Sequence, residues 1–206
     1  MSSTAKNERS DTGRGGPAAG LLVVVSGPSG VGKSTVVAEV RRRTGADFSI
    51  SVTTRPPRNG EVEGREYRFV DRATFERMIA AGELLEHAEV FGEYYGTPAG
   101  PVRRAMAAGR TVLLEIDVQG GIQVRRRMPE AVCILLLPPE TACLARRLRG
   151  RGTDSEAAIA RRVAQAEEEV RLARQSGAYE HYVVNDDLRQ AVREIVDIVS
   201  REQERT

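Results

Sequence analysis

The run Gly27-Pro28-Ser29-Gly30-Val31-Gly32-Lys33-Ser34 constrains this chain more than any other stretch. It fits the pattern Gly-x-x-x-x-Gly-Lys-Ser/Thr and follows the apolar run Leu21-Leu22-Val23-Val24-Val25. A buried strand that feeds a glycine loop and then a helix is the context that makes this pattern a phosphate-binding loop. The glycines let consecutive backbone N–H groups point at phosphate oxygens, and the helix beginning near Lys33 adds the positive end of its dipole. Lys33 would reach the outer phosphates of a nucleoside triphosphate, and the Ser34 hydroxyl would hold Mg²⁺. Thr35 closes the nucleotide-binding stretch. The alternative is a chance glycine turn before a helix. Against it stands the lysine usage: in an arginine-rich chain Lys6 and Lys33 are the only lysines. A phosphate loop uses a compact point charge on a thin stem, which arginine does not supply.

At 206 residues the chain is long enough for one compact domain with inserted subdomains. A net charge of +2 gives no bulk argument for nucleic acid or membranes as partners. The basic runs Arg41-Arg42-Arg43 and Arg125-Arg126-Arg127 read as solvated helix faces. Cys133 and Cys143 make neither a disulfide framework nor a metal site, and Cys133 reads as core. His87 and His181 are isolated. No apolar stretch reaches membrane-spanning length and no signal peptide opens the chain, so a reduced, cytoplasmic setting is expected. Residues 1–19 carry almost nothing apolar and read as a disordered tail.

Strand-like runs at Leu21–Ser26, Phe48–Val52, Thr111–Ile116, Val132–Leu137 and Tyr182–Val184 alternate with helix-like runs. The helix-like runs are Lys33–Arg43, Gln119–Arg127, Glu140–Arg149, Asp154–Ser176 and Asp187–Glu204. This alternation predicts an α/β fold, a parallel sheet flanked by helices on both faces. Two regions break the rhythm. Residues 53–100 are polar and punctuated by Gly and Pro, which predicts an inserted subdomain on the binding edge of the sheet. Residues 146–162 set Gly150 and Gly152 among arginines before a helix, which predicts a lid. The expected core is then 20–52, 101–145 and 178–206, with the insertion at 53–100 and the lid over 146–177. Ligands of such sheets sit at the carboxyl ends of the strands, beside both regions.

Phosphoryl transfer between nucleotides is mostly positioning and charge stabilisation, so a ring of arginines is expected around the phosphates. Arg55 and Arg58 follow the second strand; Arg147, Arg151 and Arg162 surround the expected lid. Each alone reads as an ordinary surface arginine. Their two clusters, beside Gly and Pro at loop positions, favour function.

Several further pieces, in order behind the phosphate loop, resemble the guanylate kinase family, which phosphorylates GMP with ATP. The strongest is Ser51-Val52-Thr53-Thr54-Arg55-Pro56-Pro57-Arg58-Asn59-Gly60-Glu61, followed by Gly64 and Tyr67. Others are Glu86, Tyr94-Tyr95-Gly96-Thr97, Glu115-Ile116-Asp117-Val118-Gln119-Gly120, Arg149-Gly150-Arg151-Gly152-Thr153 and Val184-Asn185-Asp186-Asp187. The resemblance covers roughly residues 20–204. It implies a P-loop NTPase-type core with a GMP-binding insertion and a helical lid, acting in purine nucleotide metabolism.

By resemblance, Ser51, Arg55, Arg58, Tyr67 and Tyr95 hold the GMP phosphate, and Glu86, Thr97 and Asp117 read guanine. The chemistry agrees: guanine N1–H and N2–H donate to a carboxylate, and its O6 accepts from a hydroxyl. Adenine would leave that carboxylate facing a lone pair. Without the resemblance Glu86 reads as a solvated helix-end carboxylate. Arg147, Arg151 and Arg162 are implied to close over the ATP phosphates, and Asn185-Asp186 to lie near the adenine. Mg²⁺ is assigned to Ser34, with Glu115 or Asp117 as its acidic neighbour. His87 stands where many relatives carry a large aromatic residue, and the long tail exceeds the family pattern.

Three rivals are weighed. Guanylate-kinase-like scaffold modules usually have degraded phosphate loops, whereas Gly27–Ser34 is intact. GTPase switches read guanine through Asn-Lys-x-Asp, which neither lysine provides. A kinase for another nucleoside monophosphate is opposed by Glu86 with Thr97.

Overall fold

The computed structural model describes residues 20–90, 92–149 and 155–205. The expected tail, 1–19, lies outside the described residues, as does the 150–154 tip of the expected lid. In chain order the elements begin β1 (Leu22–Ser26), α1 (Lys33–Thr44), β2 (Asp47–Phe48), β3 (Val52–Thr53) and β4 (Arg68–Phe69). They continue α2 (Arg72–Ala80), β5 (Leu84–Val90), β6 (Glu93–Pro98), α3 (Ala99–Ala107), β7 (Val112–Glu115) and α4 (Val118–Arg127). They close with β8 (Val132–Leu137), α5 (Thr141–Arg149), α6 (Glu156–Ser176), β9 (His181–Val184) and α7 (Leu188–Arg205).

A five-stranded sheet, ordered β2-β7-β1-β8-β9, forms the centre, and every pairing in it is parallel. Parallel strands bury both faces, so their side chains alternate between two cores. Leu22, Val24, Leu114, Cys133 and Leu135 face α3, α4 and α6. Val23, Val25, Leu113, Ile134 and Leu136 face α1 and α7, where Val36, Val40, Val192 and Ile195 meet them. β1 lies between β7 and β8, so the loop that follows it opens at the switch point of the sheet.

A second sheet, ordered β4-β3-β6-β5, stands apart from the first. It has its own small core of Val52, Phe75, Met78 and Leu84. β5 and β6 form an antiparallel hairpin whose register sets Glu86 opposite Thr97. The predicted strand Phe48–Val52 is therefore not one element. Its first residue, Phe48, belongs to the edge strand of the central sheet, Val52 enters the second sheet, and Ser49 to Ser51 cross between them. The second sheet starts one residue before the expected boundary, and α3 begins at Ala99, inside the expected insertion. Two helices were not anticipated there. α2 is capped by the Asp71 carboxylate accepting from Thr74 N (2.6 Å) and buries Phe75 and Met78. α3 starts at the Pro98 bend.

α6 begins and ends where the sequence suggests: Ser155 Oγ accepts from Ala158 N, and Gly177 takes a left-handed φ of 65°. The second basic run is more than a solvated face. Arg125 donates to Ala178 O (3.0 Å) and Pro129 O (2.7 Å) and pairs with Glu180, while Arg127 donates to Leu84 O. These bonds tie α4 to its neighbouring loops and to β5. Among the described residues no helix is long and apolar enough to cross a membrane.

α4 approaches the central sheet through Gly121. A Cβ there would lie 2.1 Å from Tyr179 Oη and 2.7 Å from Ser26 Oγ. Both are buried, and Tyr179 Oη donates to Val118 O (3.0 Å), so neither can retreat freely. Gly121→Ala is expected to destabilise the fold by about 2–3 kcal/mol, read by urea denaturation. A loss below about 0.5 kcal/mol would show that this contact relaxes without strain.

Candidate active site

The phosphate loop is shaped from behind. Gly27 has φ 154°, and a Cβ there would fall 2.3 Å from Leu136 O. Gly32 has φ 98°, and a Cβ would meet Asn185 Nδ2 at 2.7 Å. Asn185, 6 % exposed, donates from Nδ2 to Val31 O (2.8 Å) and from its backbone N–H to Leu137 O (2.8 Å). Loop, β8 and the start of the last crossover are thus fastened together. α1 begins at Gly32 with no side-chain cap, so the first-turn N–H groups have no side chain competing for them. Lys33 Nζ donates to Gly27 O (2.5 Å) and Pro28 O (3.1 Å). Burial lowers its pKa, outweighing the opposing pull of Glu115, Glu169 and Asp117.

Ser34 and Glu115 meet across the loop: Ser34 Oγ donates to Glu115 Oε1 at 2.5 Å. A hydroxyl and a carboxylate oxygen at the end of β7 are hard oxygen donors that suit Mg²⁺. Asp117 differs, because its Oδ1 caps α4 by accepting from Gly120 N (2.7 Å). Of the two acidic candidates, Glu115 fits the metal role better.

A cavity of about 210 Å³ joins the two sheets, lined by Ser51, Tyr67, Glu86, Tyr95, Glu115 and Asp117. Glu86 is not the solvated helix-end carboxylate that its sequence context suggests. It sits on β5, 6 % exposed, accepting from Thr97 Oγ1 at 2.6 Å. Burial pushes its pKa up to about 7, with Asp117 adding to the rise and the Thr97 bond opposing it. Gly120 permits this approach, since a Cβ there would come 3.0 Å from Glu86 Oε2. The Thr97 hydroxyl has one proton and gives it to Glu86, so in this arrangement Thr97 orients the carboxylate. Donation to a guanine O6 would require that bond to break.

Arg55 is locked by a residue whose role the sequence analysis missed. Its Nη1 and Nη2 donate to Glu61 at 3.0 and 2.9 Å, and Glu61 also accepts from Arg58 N (2.7 Å). The guanidinium lies 5.5 Å from the Tyr67 ring centroid, and Tyr67 meets Tyr95 edge-on at 6.0 Å. Among the described residues Arg55 Nε is buried without a hydrogen-bond partner. The signal for Glu61 was its place at the end of the Thr53–Glu61 run, six residues after Arg55 across a turn.

Arg162 reaches from α6 to the phosphate loop, Nη2 donating to Ser29 Oγ at 2.8 Å. Arg151 and the Arg147 side chain lie outside the described residues. Asp186 is exposed beside Asn185. Gln123 on α4 was also missed. Gln123 exchanges bonds with the His87 backbone (3.2 and 3.0 Å), joining α4 to β5. It is not legible from local sequence, because it acts across elements distant in the chain.

A larger cavity, about 920 Å³, lies elsewhere, among Phe48, Ser49, Pro98, Arg103 and Arg110. It contains none of the predicted residues, so convergent chemistry rather than volume locates the site. Among the described residues no three His, Cys, Asp or Glu side chains gather as a metal cluster.

A family model described as guanylate kinase matches residues 20–202. A guanylate kinase of Thermus thermophilus is 51 % identical over 187 residues, covering 91 % of this chain and 84 % of that protein. One of Gloeobacter violaceus is 51 % identical over 182 residues, covering 88 % and 87 %. The crystal structure of guanylate kinase from Anaplasma phagocytophilum superposes with a TM-score of 0.69 at 34 % identity, covering 90 % and 87 %. A gluconokinase from Sinorhizobium meliloti, at 18 % identity and a TM-score of 0.51, shares the fold.

The raised pKa of Glu86 has a consequence for stability. Its ordinary value is 4.5 and its folded value about 7, so the folded state holds the proton more tightly. Glu86 therefore contributes stability that is fully present below pH 4.5 and lost as pH rises through about 7. Relative to Glu86→Gln, the wild-type unfolding free energy should fall by about 2–3 kcal/mol between pH 5 and pH 8. Denaturant titrations of both proteins without nucleotide measure it; parallel pH profiles would contradict it.

Proposed function

The chain belongs to the guanylate kinase family, and from that membership we infer that it transfers the γ-phosphoryl group of ATP to GMP, giving ADP and GDP. One observation supports the substrate choice above others: the buried Glu86–Thr97 pair lines the same cleft as Ser51, Tyr67 and Tyr95, a short reach from the phosphate loop.

In this reading Glu86 accepts from guanine N1–H and N2–H, with Asp117 beside it. Ser51, Arg55, Arg58, Tyr67 and Tyr95 hold the GMP phosphate. Arg55 arrives held in place by Glu61 and retains an uncommitted Nε–H. The amides of Gly27 to Thr35 cradle ATP, with Asn185 and Asp186 toward the adenine. Ser34 and Glu115 would hold Mg²⁺, which when bound neutralises charge on the outer phosphates. The GMP phosphate oxygen is already anionic near neutral pH, so attack requires no side-chain base. Lys33, Arg147, Arg151 and Arg162 stabilise the charge that spreads over the transferring group. Residues 53–100 form the GMP-binding insertion and 146–177 the lid on the core of 20–52, 101–145 and 178–206. Their closure would exclude water and limit ATP hydrolysis. dGMP is expected to serve as well, because no assigned residue is directed at a 2′-hydroxyl. A cytoplasmic setting suits these substrates.

A steady-state panel of GMP, dGMP, AMP, CMP and UMP with ATP tests the reading; GMP and dGMP should be preferred. Lys33→Ala should lower turnover by at least a factor on the order of 10², and near-normal turnover would take Lys33 out of the mechanism. Glu86→Gln should narrow the preference for GMP over AMP by on the order of 10²-fold. If the preference survives intact, guanine is read elsewhere.

A further inference from the structure

The loop between β3 and β4 carries two arginines, and one carboxylate bonds to both of them. Glu61 Oε1 accepts from Arg55 Nη2 at 2.9 Å, and Oε2 accepts from Arg55 Nη1 at 3.0 Å. Oε2 also accepts from the backbone N–H of Arg58 at 2.7 Å. The turn Arg58-Asn59-Gly60-Glu61 makes this possible. Glu61 N donates to Arg58 O (3.0 Å), and Gly60 supplies a φ of 88° at the third position of the turn, where a positive φ favours glycine. Both backbone polar groups of Arg58 are therefore bonded to Glu61, one to its main chain and one to its side chain. The Arg55–Glu61 pair is no loose surface contact, since the two side chains are only 13 % and 18 % exposed.

A guanidinium has five N–H bonds in a fixed plane, and those of Arg55 can be followed one by one. Nη1 directs its two at Glu61 and at Pro56 O (2.7 Å). Nη2 gives one to Glu61. The donors left over are Nε–H and the second Nη2–H, neighbours along one edge of the plane. Nε is buried and has no hydrogen-bond partner among the described residues. A buried donor without an acceptor is costly, so this edge is a place where an added acceptor is favoured. The Tyr67 and Phe69 rings flank the guanidinium, with their centroids 5.5 and 5.9 Å from its carbon.

Resting on the reading of Arg55 and Arg58 as holders of the GMP phosphate, we propose that Glu61 is a positioning residue for the acceptor phosphate. It fixes one edge of Arg55 and the main chain of Arg58, so both cations are set before the nucleotide arrives. The phosphate then bonds Arg55 along the remaining edge while Glu61 keeps the other. This role and that of a simple counter-charge predict effects of opposite sign. A carboxylate repels a phosphate dianion, so removing one that only neutralised Arg55 would leave GMP bound more tightly. Removing one that orients both arginines leaves GMP bound more weakly, because the donors lose their alignment.

Glu61→Gln keeps the size of the side chain and removes the charge. Three N–H groups converge on the Glu61 carboxylate, and an amide turns a donor of its own toward at least one of them. In steady-state assays the KM for GMP should rise on the order of 10-fold in E61Q, while the KM for ATP stays within about twofold. Guanosine carries the base without the phosphate, and its inhibition constant against GMP should stay within about twofold of wild type. A merely structural role would weaken GMP and guanosine together. Thermal unfolding checks that the variant is folded, and if E61Q does not fold, Glu61→Ala carries the same expectation. An unchanged or lower KM for GMP in a folded variant overturns the proposal, as does an equal loss for guanosine or ATP, and each of these leaves the kinase reading standing. A wild-type chain that phosphorylates no GMP overturns both.

Discussion

The amide-lined turn between β1 and α1 works because it is fastened from the rear. Its own carbonyls have partners: Val31 O accepts from Asn185, and Gly27 O and Pro28 O accept from Lys33. A backbone loop with satisfied carbonyls presents its N–H groups outward without a competing internal use for them. Gly27 lies against Leu136 and Gly32 against Asn185, so the turn cannot shift without moving β8 or the chain after β9. The position of every other group in the cleft is measured from this fixed point. Preorganisation of this kind is what phosphoryl transfer requires, since positioning and charge do most of the work.

α4 carries that reference to the base-reading side. Its cap, Asp117, stands at the mouth of the cleft, and Gly121 seats the helix on Tyr179 and Ser26 of the core. Its far face grips β5 of the second sheet, through Gln123 on His87 and Arg127 on Leu84. One helix thus touches both sheets, and Gly120 brings it within contact of Glu86. A carboxylate at this depth costs several kcal/mol in isolation. The Thr97 bond offsets part of that cost without restoring the ordinary pKa. What remains is a group whose charged form is short of donors, and the Watson–Crick edge of guanine offers two. On the proposed reading, discrimination against adenine would follow from the same shortage.

The central fold was legible because parallel strands bury both faces and read as unbroken apolar runs. β8 is matched residue for residue, and β1, β7 and β9 to within one or two. Cys133 falls in the core as its neighbours suggest. The second sheet was legible only as an interruption. Two of its strands, β3 and β4, are only two residues long, β5 and β6 carry polar residues among few apolar ones, and α2 has one narrow stripe, Phe75 and Met78, under a polar surface. Phe48–Val52 looked continuous because nothing local tells a strand that the chain changes sheets at Ser49. In the site, the phosphate loop could be named from its motif spacing, and the residues expected around GMP only through the resemblance. Gln123 could not, since it acts on the His87 backbone, supplied by another element. Glu86 shows the limit most clearly: local context made it a solvated carboxylate, and only the hairpin register with Thr97 buries it.

The cations on the two sides of the cleft share a further property. Arg55 is held by Glu61, with burial opposing and the bond raising its pKa, and Lys33 is surrounded by Glu115, Glu169 and Asp117. Neither charge is bare. A buried, unpaired guanidinium or ammonium would be expensive to maintain; the Glu61 carboxylate offsets that cost for Arg55, and the Gly27 and Pro28 carbonyls offset it for Lys33. On the proposed reading, phosphate binding would exchange the partners of Lys33 for phosphate oxygens and would not neutralise an exposed charge. Its net free energy is a difference between two favourable interactions and is smaller than either. Weak ground-state binding is compatible with fast catalysis as long as the cations couple more strongly to the spreading charge of the transition state than to the resting phosphate.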